Sequence, residues 1–217
     1  MKAVEATSHS SHTTRQRILD AASKDFAAKG FSGARVDEIA RGAGVNKAML
    51  YYHVGNKQDL YTAILTRNFD RLDEALAGAA SAEGPTPDRL RAIIAGIALA
   101  LKANPDHPRI VLREFASGGA NLQPEVLQRL VKILGTVRNL LADGVRRQEF
   151  RATDPVMTHL TLIGASLILN AVTPLAARVS EIDPDIQFPE DNADVGPFLA
   201  DLLLNGITAP RTGENHE

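Results

Sequence analysis

Apolar residues recur along this chain at spacings of three and four, the period of a helix, and no strand-like alternation of any length appears. Ile18, Ala22 and Phe26 form the first stripe. It starts at Thr13, with Gln16 three residues on as a capping box, and Gly30 ends it. Ile39, Ala40 and Ala43 lie at i, i+1 and i+4, one narrow face of a second, short helix. Gly44 follows where a chain leaving a helix takes positive φ, and Val45 can pack back beneath it. Asn46 is placed to cap a third helix whose buried stripe is Leu50 and Val54. Asn56 caps a longer helix running to about residue 80, and Asp59 at its third position suits the positive N-terminal end.

Residues 81–87 break the pattern as a loop. Beyond it, helices are predicted over 87–103, 107–117, 124–148, 154–179 and 193–207. Pro105 and Pro108 separate the first pair, Gly118-Gly119 ends the second, Pro124 suits the first turn of the third, and Asp154 caps the fourth. The most apolar stretch, 155–174, holds His159, Asn170, Ser166 and several threonines, too polar for a bilayer helix. It reads as a helix buried in a core or a subunit interface, and no membrane is expected as a partner.

The second and third helices bear the candidate chemistry. Lys47, Ala48, Tyr51, Tyr52 and His53 stand outside the stripe of Leu50 and Val54, with Lys57 just beyond. Two tyrosines and a histidine on an outer face pack poorly but suit contact with a polyanion. Two short helices around a tight turn, the second opening with a basic residue, are the layout of a helix-turn-helix, which lays its second helix in the DNA major groove. Lys47 is the candidate for a base edge, most favourably guanine O6 or N7, and Ala48 for a thymine methyl. Asn46, beside them, is a further candidate for DNA contact. Arg15 and Arg17 read first as a solvated face.

Residues 14 to 65 resemble the N-terminal domain of the tetracycline-repressor (TetR) family. The matching landmarks are Arg17-Ile18-Leu19-Asp20-Ala21-Ala22, Phe26, Gly30-Phe31, Val36-x-x-Ile39-Ala40, Ala43-Gly44-Val45, Leu50-Tyr51-x-His53-Val54 and Lys57-x-x-Leu60. The resemblance implies that Tyr51, His53 and Lys57 hold the phosphate backbone, with Tyr52 on either phosphate or base. Arg35 departs from the family pattern. It stands where a Ser or Thr caps the second helix and touches a phosphate, so a cap of about 1 kcal/mol is lost while the guanidinium still reaches the phosphate.

Charge divides along the chain in the same sense. Residues 1–60 carry nine Lys/Arg and six Asp/Glu, net +3, and residues 61–217 carry fifteen and twenty, net −5. This is a mildly basic head on an acidic body. The 217 residues contain no cysteine, which excludes disulfides and Cys-based zinc sites and suits a cytoplasmic protein. The N-terminus lacks an apolar run, so no secretory signal is seen. No phosphate loop, zinc-protease motif or nucleophile elbow appears, so neither an enzyme nor a cofactor nor a metal is expected.

These readings define an all-α fold. An N-terminal three-helix helix-turn-helix DNA-binding domain spans 13–60, and a C-terminal helical ligand-binding and dimerisation domain spans 61–209. Disordered tails are expected at 1–12 and 210–217. Arg113, Phe115, His159, Ser166 and Asn170 are candidates for binding an unknown small-molecule effector, although His159 reads first as a core or interface histidine and Ser166 can simply bond its own backbone. Leu160, Gly164, Leu167, Ala171, Phe198 and Leu202 are candidates for a homodimer interface. One short recognition helix reads only a few base pairs, so specificity needs two half-sites of a palindromic, double-stranded operator. The resemblance implies dimerisation through the last two long helices and a repressor released by its effector. The alternatives are a ligand-independent DNA-binding dimer and an all-helical enzyme or carrier whose turn is structural.

Overall fold

The computed structural model describes residues 2–186, 188 and 195–208, with side chains from residue 13 on except at 173 and 174. The tail expected over 210–217 lies outside the described residues. Within them the helices are α1 (Lys2–Gly33), α2 (Val36–Gly42), α3 (Lys47–Val54), α4 (Lys57–Ser81), α5 (Thr86–Ala103), α6 (Asp106–Ala116), α7 (Pro124–Arg146), α8 (Pro155–Ala171), α9 (Thr173–Ile182) and α10 (Val195–Ile207). The β-type pairing among the described residues is one isolated antiparallel bridge, Phe150 to Thr208.

Most helix ends fall within two residues of the sequence reading, and two differ by more. α1 begins at Lys2, through the tail expected to residue 12 and the start expected at Thr13. No glycine or proline interrupts residues 2–29, so nothing in the chain stops the helix there. Its expected end is present as a break, because Gly30 takes φ 72° and ψ 176° before a final turn to Gly33. The single helix expected over 154–179 is two, α8 and α9, whose axes differ by 67°. Pro174 lacks the N–H that a continuous helix needs, and its ring would meet the carbonyl of Asn170. In the first turn of α9 the same residue is tolerated.

The chain forms two compact units, one of residues 1–70 and 105–129, the other of 71–104 and 130–217. The division expected at residue 60 falls inside α4. The apolar face of α4 continues past that point through Tyr61, Ile64, Leu65 and Phe69, all buried.

In the first unit α1 packs on α2, α3 and α6. Its core holds Ile18, Leu19, Phe26, Ile39, Leu50, Leu60 and Ile64. Burying one such side chain contributes about 1.5–3 kcal/mol. Tyr61 meets Phe26 edge-on at 4.8 Å between ring centroids and Phe31 at 5.1 Å.

The second unit packs α5, α8 and α10 against one another around Ile93, Ile94, Ile97, Leu162, Leu167, Leu199 and Leu204. At its edge Arg89 pairs with Asp143 at 2.8 Å, and Glu149 accepts the Thr86 N–H at 2.7 Å.

Candidate nucleic-acid interface

Backbone bonds fix the turn between α2 and α3. The Val45 N–H reaches the Ala40 carbonyl at 3.0 Å and the Gly44 N–H reaches Arg41 at 3.1 Å, the paired bonds of a Schellman motif. The motif needs a left-handed residue, and Gly44 supplies it at φ 67°. The Arg17 guanidinium lies 3.5 Å from the Gly44 carbonyl oxygen. Asn46 then caps α3, its Oδ1 accepting the Met49 N–H at 2.8 Å. That bond is the work the structure gives to Asn46, which was also a candidate for DNA contact.

α4 starts on a reciprocal box. Asn56 Oδ1 accepts from Gln58 and Asp59 at 2.7 and 3.1 Å, while Asp59 Oδ2 accepts the Asn56 N–H at 2.9 Å. Gly55 between α3 and α4 takes φ 87°, and a Cβ there would run into the Asp59 carboxylate. By contrast α2 has no side-chain cap. Arg35 occupies that position at φ −121°, with its own N–H 3.3 Å from Asp25 Oδ2. The departure inferred from the family pattern is therefore present as a bare helix start.

The outward residues lie on one contiguous stretch. Arg35, Lys47, Ala48 and Tyr51 are exposed, and Tyr52 is 85% exposed. His53 and Lys57 are partly covered, and His53 meets the Tyr52 ring edge-on. Lys57 Nζ bonds the Ser32 carbonyl at 3.3 Å and lies over the Phe31 ring, which leaves further ammonium hydrogens for a phosphate. Lys47 Nζ pairs with Asp37 Oδ1 at 3.0 Å, and that hydrogen bond holds the lysine pKa above its ordinary value. Leu50 is fully buried beneath these residues.

Residues 18–64 match the family described as bacterial regulatory proteins, tetR family, and residues 83–169 match a tetracyclin repressor-like C-terminal domain. The HTH-type transcriptional repressor NicS of Pseudomonas putida is 28% identical over 196 residues, spanning 89% of this chain and 92% of NicS. The HTH-type transcriptional activator FasR of Mycolicibacterium smegmatis is 40% identical over 80 residues, 37% of this chain and 36% of FasR. A crystal structure of a tetR-family regulatory protein from Rhodococcus RHA1 shares the fold with TM-score 0.74 and 20% identity, covering 88% of this chain and 95% of that one. The chain belongs to the TetR family.

TetR-family proteins are DNA-binding transcriptional regulators, not enzymes. They also bind small-molecule effectors and act as dimers. Of the residues expected at an effector site in this TetR-family chain, Arg113 and Phe115 belong to the first unit and His159, Ser166 and Asn170 to the second. Arg113 is exposed and donates to the Ala28 carbonyl at 3.1 Å. Ser166 donates to the Leu162 carbonyl and Asn170 to that of Ser166, each at 2.8 Å, so both bond their own helix. His159 differs. Its Nδ1 is buried with no partner among the described residues, and burial lowers the imidazole pKa.

Among the expected interface residues, Leu160, Phe198 and Leu202 are 54%, 64% and 58% exposed, as an uncovered face requires. Gly164 and Ala171 are partly covered. Leu167 is buried at 3% exposure, so its side chain is already within the core of this chain and cannot be the residue a partner covers. Ile168, one position and about 100° further round the helix, stands outward in its place, with Val156 and Met157.

Two buried polar clusters went unread in the sequence. Tyr61 donates to Glu114 Oε1 at 2.9 Å, and Asn121 brings its side-chain amide to Oε1 at 2.8 Å and its backbone N–H to Oε2 at 3.2 Å. Burial, then the bond to Glu114, pushes the Tyr61 phenol pKa far up. Asn68 donates to Nδ1 of His107 at 3.2 Å, and Phe69 meets that ring edge-on. Burial pushes the His107 pKa down to about 4, so the ring is neutral with its proton on Nε2. Partners 53 and 39 residues apart leave no periodic signal in sequence. In sequence Glu114 is one half of an adjacent Arg113-Glu114 charge pair, which points to a structural or solvated pair and not to a buried carboxylate.

Proposed function

We propose that this TetR-family regulator is a cytoplasmic repressor that binds a palindromic operator as a homodimer and is released by a small-molecule effector. The observation that carries the DNA reading is the outward cluster of Lys47, Tyr51, Tyr52 and His53 on a helix whose start and turn are each fixed by hydrogen bonds. Lys47 and Ala48 meet base edges, and Arg35, Tyr51, Tyr52, His53 and Lys57 meet phosphates. Phosphate contacts set the register and base contacts set the sequence. Likeness to NicS over most of both chains supports repression; FasR, an activator, matches over a shorter stretch.

Leu160, Ile168, Phe198 and Leu202 supply apolar side chains for the two-helix face of a dimer. The unpartnered Nδ1 of His159 supports its place in the effector site, where a neutral imidazole can take a ligand donor. Effector release follows from population shift. Moving the dimer from 1:99 to 99:1 in favour of a form with misplaced reading heads takes about 5.5 kcal/mol of differential affinity.

The test is recovery of bound genomic fragments, then salt titration on the recovered duplex. Lys57→Ala weakens binding to all sequences and flattens the salt slope by about one unit. Lys47→Ala relaxes sequence preference. Wild-type behaviour from both variants overturns the assignment.

A further inference from the structure

Two acidic residues open α2, and they face different ways. Glu38 is tied to Lys29, and Asp25 shares the same ammonium. Asp37 instead reaches across the turn to Lys47, the first residue of α3, at 3.0 Å. Both side chains are about half exposed, so the pair lies on the surface that a DNA duplex would approach. A second cation is close by: Arg35 acts on Lys47 as a like charge. Asp37 is thus a fixed negative charge amid cations placed to meet a polyanion.

Such a charge weakens simple phosphate binding. A phosphate brought to Lys47 must displace the carboxylate or sit beside it, and either is unfavourable. An uncharged base edge meets no such repulsion. Lys47 has three ammonium hydrogens and commits one to Asp37. The Asp37 side chain is 56% exposed, so its second carboxylate oxygen can accept as well. The pair therefore offers donors and an acceptor side by side. In the major groove a G·C pair offers the converse, with guanine O6 and N7 accepting and cytosine N4–H2 donating.

We propose that Asp37 is a specificity-determining residue, which with Lys47 forms one donor–acceptor unit that selects a G·C pair and rejects phosphate. The proposal rests on the reading that Lys47 faces base edges. Asp37 orients the lysine, accepts from the cytosine amine and raises the cost of misplaced, sequence-independent complexes.

Selection from randomised duplexes with wild type, Asp37→Asn and Lys47→Ala tests it, followed by salt titration of each protein on the wild-type operator and on an unrelated duplex. Asp37→Asn is expected to lower discrimination between the two duplexes about tenfold. It also steepens the salt slope on the unrelated duplex by about one unit and blurs one G·C position in the selected sequence. Lys47→Ala blurs the same position. If Asp37→Asn weakens both duplexes equally and selects the wild-type sequence, Asp37 merely complements the start of α2 and the proposal is overturned, while a blurred position in Lys47→Ala keeps the base-edge reading. If Lys47→Ala itself selects the wild-type sequence, the base-edge reading fails and takes the proposal with it.

Discussion

The two units bury polar groups in opposite ways. In the first, the largest buried polar side chains bond one another across the fold: Tyr61 and Asn121 with Glu114, and Asn68 with His107. In the second, Thr158, Ser166 and Asn170 each bond a carbonyl of the backbone at or next to their own helix, and the core between α5, α8 and α10 holds the aliphatic side chains Ile93, Ile97, Leu162, Leu167, Leu199 and Leu204. Directional bonds permit few alternative packings, because a shift leaves a buried donor or acceptor unpaired. Aliphatic contacts tolerate shifts that conserve volume. A unit that must hold α3 against a duplex gains from the first arrangement. A unit proposed to take a ligand and change state gains from the second.

The contrast can be broken by measurement. In the second unit Leu167→Ala is expected to cost about 3 kcal/mol in urea unfolding, whereas Leu167→Met, which conserves volume, costs less than about 1.5. His107 gives the first unit a pH dependence. Its folded pKa of about 4 lies below the ordinary 6.5, so the unfolded chain binds more protons between those values. The stability is complete above pH 6.5 and is lost as pH falls towards 4, by roughly 3 kcal/mol. His107→Gln removes that titration and flattens the unfolding midpoint over the same range.

Next in size is Glu114→Gln, nearly isosteric, expected to cost about 2 kcal/mol because an amide hydrogen then faces the Asn121 donors. A cost no greater than that of Leu167→Met means the contrast between the units is wrong. The smallest effect is at the interface. Asn46→Ala removes the α3 cap and is expected to cost about 1 kcal/mol, with operator affinity falling as α3 frays.

What could be read from the sequence follows the range of each interaction. The turn was legible because its signals are local: Gly44 for the left-handed residue, Asn46 and Asn56 for caps, Leu50 for the buried side of α3. The bare start of α2 at Arg35 was legible only through the family resemblance, which marks the position where a Ser or Thr cap is expected. Helix existence was legible throughout, since stripes of three and four repeat over many turns.

On α8 one expected interface residue, Leu167, is covered within the chain, while Ile168 beside it is exposed. Leu167 and Ile168 are equally apolar, and only the packing of α5 and α10 decides which is covered. The break between α8 and α9 was missed because an apolar pattern running through Pro174 outweighed its lost hydrogen bond. His107 falls at the start of a predicted helix between Pro105 and Pro108, where no repeating stripe marks it as a core residue. The buried clusters depend on segments meeting across dozens of residues, which no local pattern encodes.

The division of the first unit has a consequence for the order in which the protein is made. Its residues come in two instalments, 1–70 and then 105–129. When Asp70 has been added to the nascent chain, Tyr61 has no Glu114 and Asn68 has no His107, because neither partner has yet been synthesised. Another 59 residues must follow. At typical rates of synthesis that takes between about 3 and 12 s. Until Asn121 has been added the helix-turn-helix lacks the full set of partners in the two clusters that hold α4 in place. A gene fragment ending near residue 64 likewise encodes the helix-turn-helix without Glu114, Asn121 or His107.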